Sequence, residues 1–308
     1  MGFAKKTREE RAFWLYPSYI HDRTPPRASL EHFGKSCNRI SNNFQRSLIV
    51  TLQTICVDIS ARRIATVTLN RPERGNAFDQ RMLNELLAEF SHLGANDSVR
   101  VVVLRGAGRH FCTGADLAAR GPDAEAASNE PERTPATLRD VLLALDTMPK
   151  PTIAVVHGGA IGGGAAFAAC CDVALATEAA FFSIPEVRVG MAPFGVLPFL
   201  VRAMGNRNFR RYGLSGERFT ATQAQQLGLV HQLCDTATLE ERIARIADEF
   251  LLGAPDALAR LKSATAEFAV PSLSAILAYR PPHNSNSPEA IEGVASFREK
   301  RKPSWYPQ

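Results

Sequence analysis

The stretch KPTIAVVHGGAIGGGAAFAACCDVALA, residues 150–176, decides how the rest of this chain is read. Thr152–Val156 is an uncharged run of β-branched and small residues, the composition of a strand buried on both faces. His157–Gly164 is a glycine-rich turn, Ala165–Cys171 suits a helix, and Asp172–Ala176 returns to strand composition. Strand, turn, helix and strand in this order predict an α/β core. The span Pro151–Cys171 is also long and uncharged enough to suggest a membrane segment. It contains His157 and five glycines, however, and a buried strand, turn and helix account for it better.

Working outward, Ile55–Ile59 and Ile64–Leu69 read as two strands of a hairpin across the polar connection Ser60–Arg63. The loop RPERGNAF (71–78) follows. Asp79 then caps a helix whose apolar face is Met82, Leu83, Leu86, Leu87 and Phe90. Val99–Leu104 is a buried strand, leading into the loop GAGRHFCTGADL (106–117) and a Pro/Glu/Ser-rich surface stretch, Arg120–Pro135. Thr137–Met148 regains helical spacing. After Gly195 the sequence reads as almost wholly helical, with helices expected over 197–204, 209–214, 222–227, 239–252, 256–268 and 288–300. The fold class is therefore α/β with a helical C-terminal region, without a solenoid repeat.

The 308 residues are 45% hydrophobic and 22% charged, an ordinary globular composition. The net charge of +5 is unevenly placed: residues 1–52 carry nine Lys/Arg against four Asp/Glu, which leaves 27 of each sign for 53–308. A balanced body offers no basic face to duplex nucleic acid, which argues against DNA as a partner. Residues 1–52 mix Pro17, Pro25 and Pro26 with aromatics and show no periodicity, so they read as a poorly ordered extension. Cys37, Cys56, Cys112, Cys170, Cys171 and Cys234 form neither a C-x-x-C pair nor a zinc spacing. No metal site and a reducing, cytoplasmic setting are expected. The first residues, MGFAKKTREERAFWLYP, carry no apolar targeting segment.

A strand, a glycine turn and a helix make an anion site of backbone N–H groups. The dinucleotide pattern fails, because Gly162 and Gly164 are followed by Phe167, and Gly106 and Gly108 by Phe111. No lysine lies between Pro151 and Cys171 to complete a phosphate loop, and no G-x-S-x-G nucleophile turn occurs. An N–H pocket without nucleophile or lysine suits a transient oxyanion such as a thioester enolate, and the turn Cys112–Asp116 offers a second donor.

Six segments lie in one order: RPERGNAF (71–78), VVVLRGAGRHFCTGADL (101–117), the opening stretch (150–176), FFSIPEVRVGMAP (181–193), RFTATQAQQLGLVHQL (218–233) and SFREKRKPSW (296–305). With these the chain resembles the crotonase, or enoyl-CoA hydratase/isomerase, superfamily from about residue 53 onward. The resemblance implies a crotonase-like spiral of ββα units over 53–253. It also implies a C-terminal helical region, 254–308, for trimerisation and completion of the CoA site. The substrate would be an acyl-CoA, with no cofactor beyond its coenzyme A and no membrane partner, and the assembly a homotrimer or homohexamer.

Carried over by position, the resemblance makes the N–H groups of Thr113 and Gly163 the oxyanion donors and Glu186 the acid-base residue. Ala77, Ala115, Asp116, Leu117 and Gly162 would line the substrate, with Arg71 and Arg74 meeting CoA phosphates. Phe297 and Lys300 would serve a neighbouring subunit's CoA site. A second family glutamate is absent, since Ala166 stands two residues after Gly164. The implied activity is hydration of an enoyl-CoA, with a branched glutaconyl-type substrate among the family's one-glutamate cases. A single carboxylate also suits Δ3,Δ2-enoyl-CoA isomerisation. A non-catalytic binding protein touching RNA through the extension is the weakest reading. His110 and His157 flank the site but read as packed residues. Asp116 and Asp172 look structural, and Cys112, Cys170 and Cys171 read as packing groups.

Removal of residues 1–52 is expected to leave an assembled protein that binds acyl-CoA. Measured affinity should stay within about tenfold, or 1.4 kcal/mol, of the full chain.

Overall fold

The hairpin expected from sequence alternation is present residue for residue. In the computed structural model, which describes residues 52–117, 135–267 and 287–305, β1 (Ile55–Ile59) pairs antiparallel with β2 (Ile64–Leu69). Ala65, Val67 and Leu69 point into the core and Thr66 and Thr68 lie at its margin, as a period of two requires. The expectations for the N-terminal extension and for the loop after Arg120 lie outside the described residues.

β3 (Val101–Gly106), β4 (Thr152–Val156), β6 (Val173–Thr177) and β9 (Gln232–Cys234) continue the sheet in parallel, in the order β1-β2-β3-β4-β6-β9. Parallel pairing needs crossovers. Between β2 and β3 runs α1 (Gln80–Ala95), between β3 and β4 α2 (Leu138–Asp146), and between β4 and β6 α3 (Gly163–Cys170). Asp79 caps α1 by accepting the Met82 N–H at 2.9 Å, and Thr137 and Asp140 form a reciprocal capping box on α2. One face of the sheet, with Val102, Leu104, Ala154 and Val156, packs under these helices. The other face, with Val101, Val103, Ile153, Val155 and Leu175, is covered by Leu239, Ile243 and Ala247 of α7 (Leu239–Leu252). Both faces of β4 are thus buried, which is why its sequence does not alternate.

A second, three-stranded sheet corrects the reading of the glycine turn. Within it lies β5 (Gly159–Ile161), which runs parallel to β7 (Phe181–Ser183), itself antiparallel to β8 (Arg218–Thr220). α3 begins at Gly163 rather than Ala165. Likewise β8 and β9 interrupt the region expected to be almost wholly helical, between α4 (Leu197–Met204), α5 (Asn206–Ser215), α6 (Ala221–Gln226) and α7. Strands of three residues are too short to show a period, and their conformation comes from the strand beside them. α8 (Pro255–Glu267) and α9 (Pro288–Arg298) complete the described chain. α8 is pinned to the sheet by Lys262, whose ammonium donates to the Asp172 carboxylate at 2.6 Å and the Lys150 carbonyl at 2.9 Å. Asp172 in turn accepts from the Thr152 N–H at 2.8 Å, so it is structural as expected. Among the described residues, no helix is long and apolar enough to cross a membrane.

One polar side chain joins the loops after β2 and β3. Asn76 is fully buried with φ of 56°, a left-handed conformation that asparagine tolerates better than most residues. Its Oδ1 accepts the Arg71 N–H at 2.9 Å, and its Nδ2 donates to the carbonyls of Ala107 at 2.8 Å and His110 at 2.7 Å. Asn76→Asp replaces that two-carbonyl donor by a buried acceptor. It should lower stability by about 3 kcal/mol, read as a fall in urea midpoint at constant slope.

Candidate active site

After β3 the chain returns as the run Cys112–Asp116, turned at Gly114 (φ 91°) and hydrogen-bonded along both edges. On one edge the Cys112 N–H donates to the Gly159 carbonyl at 3.1 Å, and the Cys112 carbonyl accepts the Ile161 N–H at 2.9 Å. On the other, the Thr113 N–H donates to the Gly75 carbonyl at 3.1 Å, while Phe78 receives the Asp116 N–H and gives its own to Gly114, both at 2.9 Å. In the parallel bridge Phe78↔Ala115, Phe78 bonds the residues on either side of Ala115, so the Ala115 N–H turns away from Phe78. It has no acceptor among the described residues.

Across from it, α3 begins. A Cβ placed on Gly114 would stand 2.9 Å from the Ile161 oxygen and 4.0 Å from the Gly163 nitrogen. The Gly163 N–H is the first of its helix and has no intrahelical partner. Ala115 and Gly163 therefore present neighbouring free donors, one of them at the positive end of a helix dipole. Thr113, expected as a donor, is corrected by its own hydrogen bond: Gly75 already holds its N–H. The approach is close because position 164 is also glycine, where a Cβ would fall 2.2 Å from the Cys112 oxygen.

Glu186 opens the short 3-10 turn Glu186–Val189 that follows β7. Its carboxylate lies across Gly162, where a Cβ would come 2.4 Å from Oε1, so the adjoining Gly163 donor and this carboxylate share one site. Oε2 is shut off from solvent and has no hydrogen-bond partner among the described residues. Burial pushes the Glu186 carboxyl up to about 7, partly opposed by its own backbone N–H. Ala166, one turn into α3, is fully buried and adds no polar atom. Two free N–H groups beside an acid-base group poised near neutrality can hold a developing oxyanion and move a proton next to it.

The remaining expected residues divide. Arg71 is turned inward: Nη1 donates to the Ala77 carbonyl at 2.5 Å and pairs with Asp79 at 3.3 Å, while Nη2 reaches Asp116 at 3.0 Å. This corrects its expected phosphate role, since its donors tie the loop 71–79 to the run carrying Ala115. Asp116 is its partner and looks structural rather than substrate-facing. Arg74 is exposed and forms no ion pair among the described residues. Ala77 is buried beside Phe78, and the Leu117 carbonyl accepts from Arg298 at 2.7 Å. Phe297 and Lys300 are exposed at the C-terminal end of α9, on either side of Arg298.

His110 Nδ1 accepts the Gly159 N–H at 2.9 Å, and His157 Nε2 meets the Gly108 carbonyl at 2.9 Å. Burial, with Arg109, His157 and Arg218 nearby, pushes His110 down to about 4, and burial lowers His157 as well. Both are neutral rings bracing loops, as expected. Burial drives the Cys112 thiol up to about 12 and those of Cys170 and Cys171 upward too, which keeps them unreactive. The sequence reading missed the Ala115 donor and the Arg298 contact. The signal that points to Ala115 is the pair of hydrogen bonds Phe78 makes on either side of it, and these exist only in the folded chain.

The family described as Enoyl-CoA hydratase/isomerase matches residues 60–308. The chain is 33% identical over 248 residues to a 2,3-dehydroadipyl-CoA hydratase of Escherichia coli, spanning 79% of this chain and 95% of that protein. It is 31% identical over 249 residues to a peroxisomal Delta(3,5)-Delta(2,4)-dienoyl-CoA isomerase of Arabidopsis thaliana, spanning 76% and 90%. The crystal structure of an enoyl-CoA hydratase from Shewanella pealeana shares the fold with a TM-score of 0.62 at 30% identity, covering 82% of this chain and 96% of that one.

Gly162→Ala tests how Glu186 is held, because the added methyl group would occupy the place of Oε1. Turnover should fall by about a hundredfold, the effect of misplacing a reacting group by an ångström, with KM little changed in steady-state kinetics.

Proposed function

We propose that this chain, which belongs to the enoyl-CoA hydratase/isomerase family, adds water across the double bond of an α,β-unsaturated acyl-CoA with Glu186 as its one acid-base group. The observation that carries this reading is the buried, unpartnered Glu186 Oε2, on a carboxyl raised to about 7 and seated against Gly162. The N–H groups of Ala115 and Gly163 receive the thioester oxygen and draw charge from Cβ. Ionised Glu186 takes a proton from water as the oxygen of that water bonds to Cβ, and the electron pair of the double bond moves into an enolate held by the two donors. The Glu186 proton is then delivered to Cα, the carbonyl re-forms, and one water has been added. One such donor is typically worth about 3–4 kcal/mol in the transition state, and a general acid-base group about a hundredfold or more in rate. The chemistry needs no cofactor beyond the CoA of the substrate.

The apolar Ala166 favours a second reading on the same groups: Glu186 removes a proton from C2 of a 3-enoyl-CoA and returns it at C4, giving the 2-enoyl isomer without water. Offering 2-enoyl- and 3-enoyl-CoA separately, and following water uptake apart from double-bond position, decides between them. Loss of water uptake with retained isomerisation would replace the first reading by the second.

Glu186→Gln keeps size and removes the base. It should lower kcat by at least about a hundredfold with KM little changed. In the wild type, kcat/KM should rise with pH through about 7, because water activation needs the carboxylate, and the limb should vanish in Glu186→Gln.

A further inference from the structure

We infer that α9 is the element that positions Glu186, acting through Gly293 and Arg298 as positioning residues; this rests on Glu186 being the acid-base group. The Glu186 turn is closed on itself, since the Met191 N–H donates to the Glu186 carbonyl at 3.0 Å and the Gly190 N–H to the Val187 carbonyl at 3.2 Å. A shift of Val189 or Gly190 therefore carries Glu186 with it. Both meet α9 backbone to backbone. A Cβ on Gly293 would fall 2.4 Å from the Val189 carbonyl carbon and oxygen, and one on Gly190 would fall 2.3 Å from the Glu289 oxygen. No rotamer lies between the two segments to absorb a displacement. Ala290 and Ser296 are buried in the same face, and the Ser296 hydroxyl donates to the Gly293 carbonyl at 2.9 Å.

The other end of the helix touches the donor side of the site. Arg298 Nη2 donates to the Leu117 carbonyl at 2.7 Å, two residues beyond Ala115. The chain after α9 folds back onto it, with Arg301 gripping Glu292 at 2.6 and 2.8 Å and the Ser304 N–H donating to the same carboxylate at 2.7 Å. One helix thus fixes the proton-moving turn at its middle and the oxyanion-holding run at its end. The distance between the Glu186 carboxylate and the Ala115 N–H is set by how α9 sits.

The test compares full-length Gly293→Ala, Arg298→Gln and Glu186→Gln with wild type, using Ile291→Ala on the exposed side of α9 as the control. Gly293→Ala should lower kcat by at least about tenfold, leave KM within about threefold, and move the midpoint of the kcat/KM pH profile. Arg298→Gln should lower kcat in the same pattern, and Ile291→Ala should match wild type. A folded Gly293→Ala with wild-type kcat and an unmoved midpoint overturns the inference. Where Gly293→Ala does not fold, Arg298→Gln decides, and its wild-type kcat overturns the inference. An inactive Glu186→Gln beside an unimpaired Gly293→Ala removes the inference alone, whereas a fully active Glu186→Gln removes the acid-base assignment and the inference with it.

Discussion

Everything at the site depends on the run Cys112–Asp116 being hydrogen-bonded along both edges. Cys112 ties it to β5, and Thr113, Gly114 and Asp116 tie it to the loop 75–78. Between bonded neighbours, one donor of this partly exposed run has no acceptor among the described residues. Here that donor is the Ala115 N–H, and the two-edged ladder holds it rigidly opposite the start of α3. A donor fixed before substrate arrives stabilises charge without reorganising when the charge develops. The bare α-carbons of Gly114 and Gly164 allow the approach.

The loops that build the site leave the same end of the main sheet. β2 ends at Leu69, β3 at Gly106 and β4 at Val156, and the segments that follow them meet around Asn76, Arg71 and His110. Parallel strands gather their C-terminal ends on one side, which is where ligand sites of α/β folds are found. The half-buried Arg71, between Asp79 and Asp116, and the neutral His110 and His157 brace these loops. Their polar atoms serve the shape of the site rather than the reaction in it.

Much of this was legible in the residues. β1, β2 and β4 begin and end where alternation or an uninterrupted apolar run says they should, and Asp79 caps α1 as a side chain of its type does at that position. β5, β7, β8 and β9, each three residues long, were not, because so short a strand is specified by its neighbour. At the site, the motifs pointed to Gly163 and Glu186 as candidates. Which N–H of Cys112–Asp116 is free depends on what borders each edge, and that is tertiary information. The same limit applies to Arg71: a charge count shows a cation, and only the folded loop shows that its donors are already engaged.

The seat of Glu186 has a thermodynamic side. Its carboxyl titrates near 7 in the folded chain against an ordinary value of 4.5, so between these pH values the folded state holds a proton that the unfolded chain has released. The stability belonging to this group is fully present below 4.5 and is lost as pH rises through 7, a difference on the order of 3 kcal/mol for full ionisation. Folding in mild acid therefore protonates this site, and folding in mild alkali must bury a bare negative charge between β7 and α3. The desolvation that raises the Glu186 carboxyl to about 7 also makes its turn a place where alkaline conditions work against the fold.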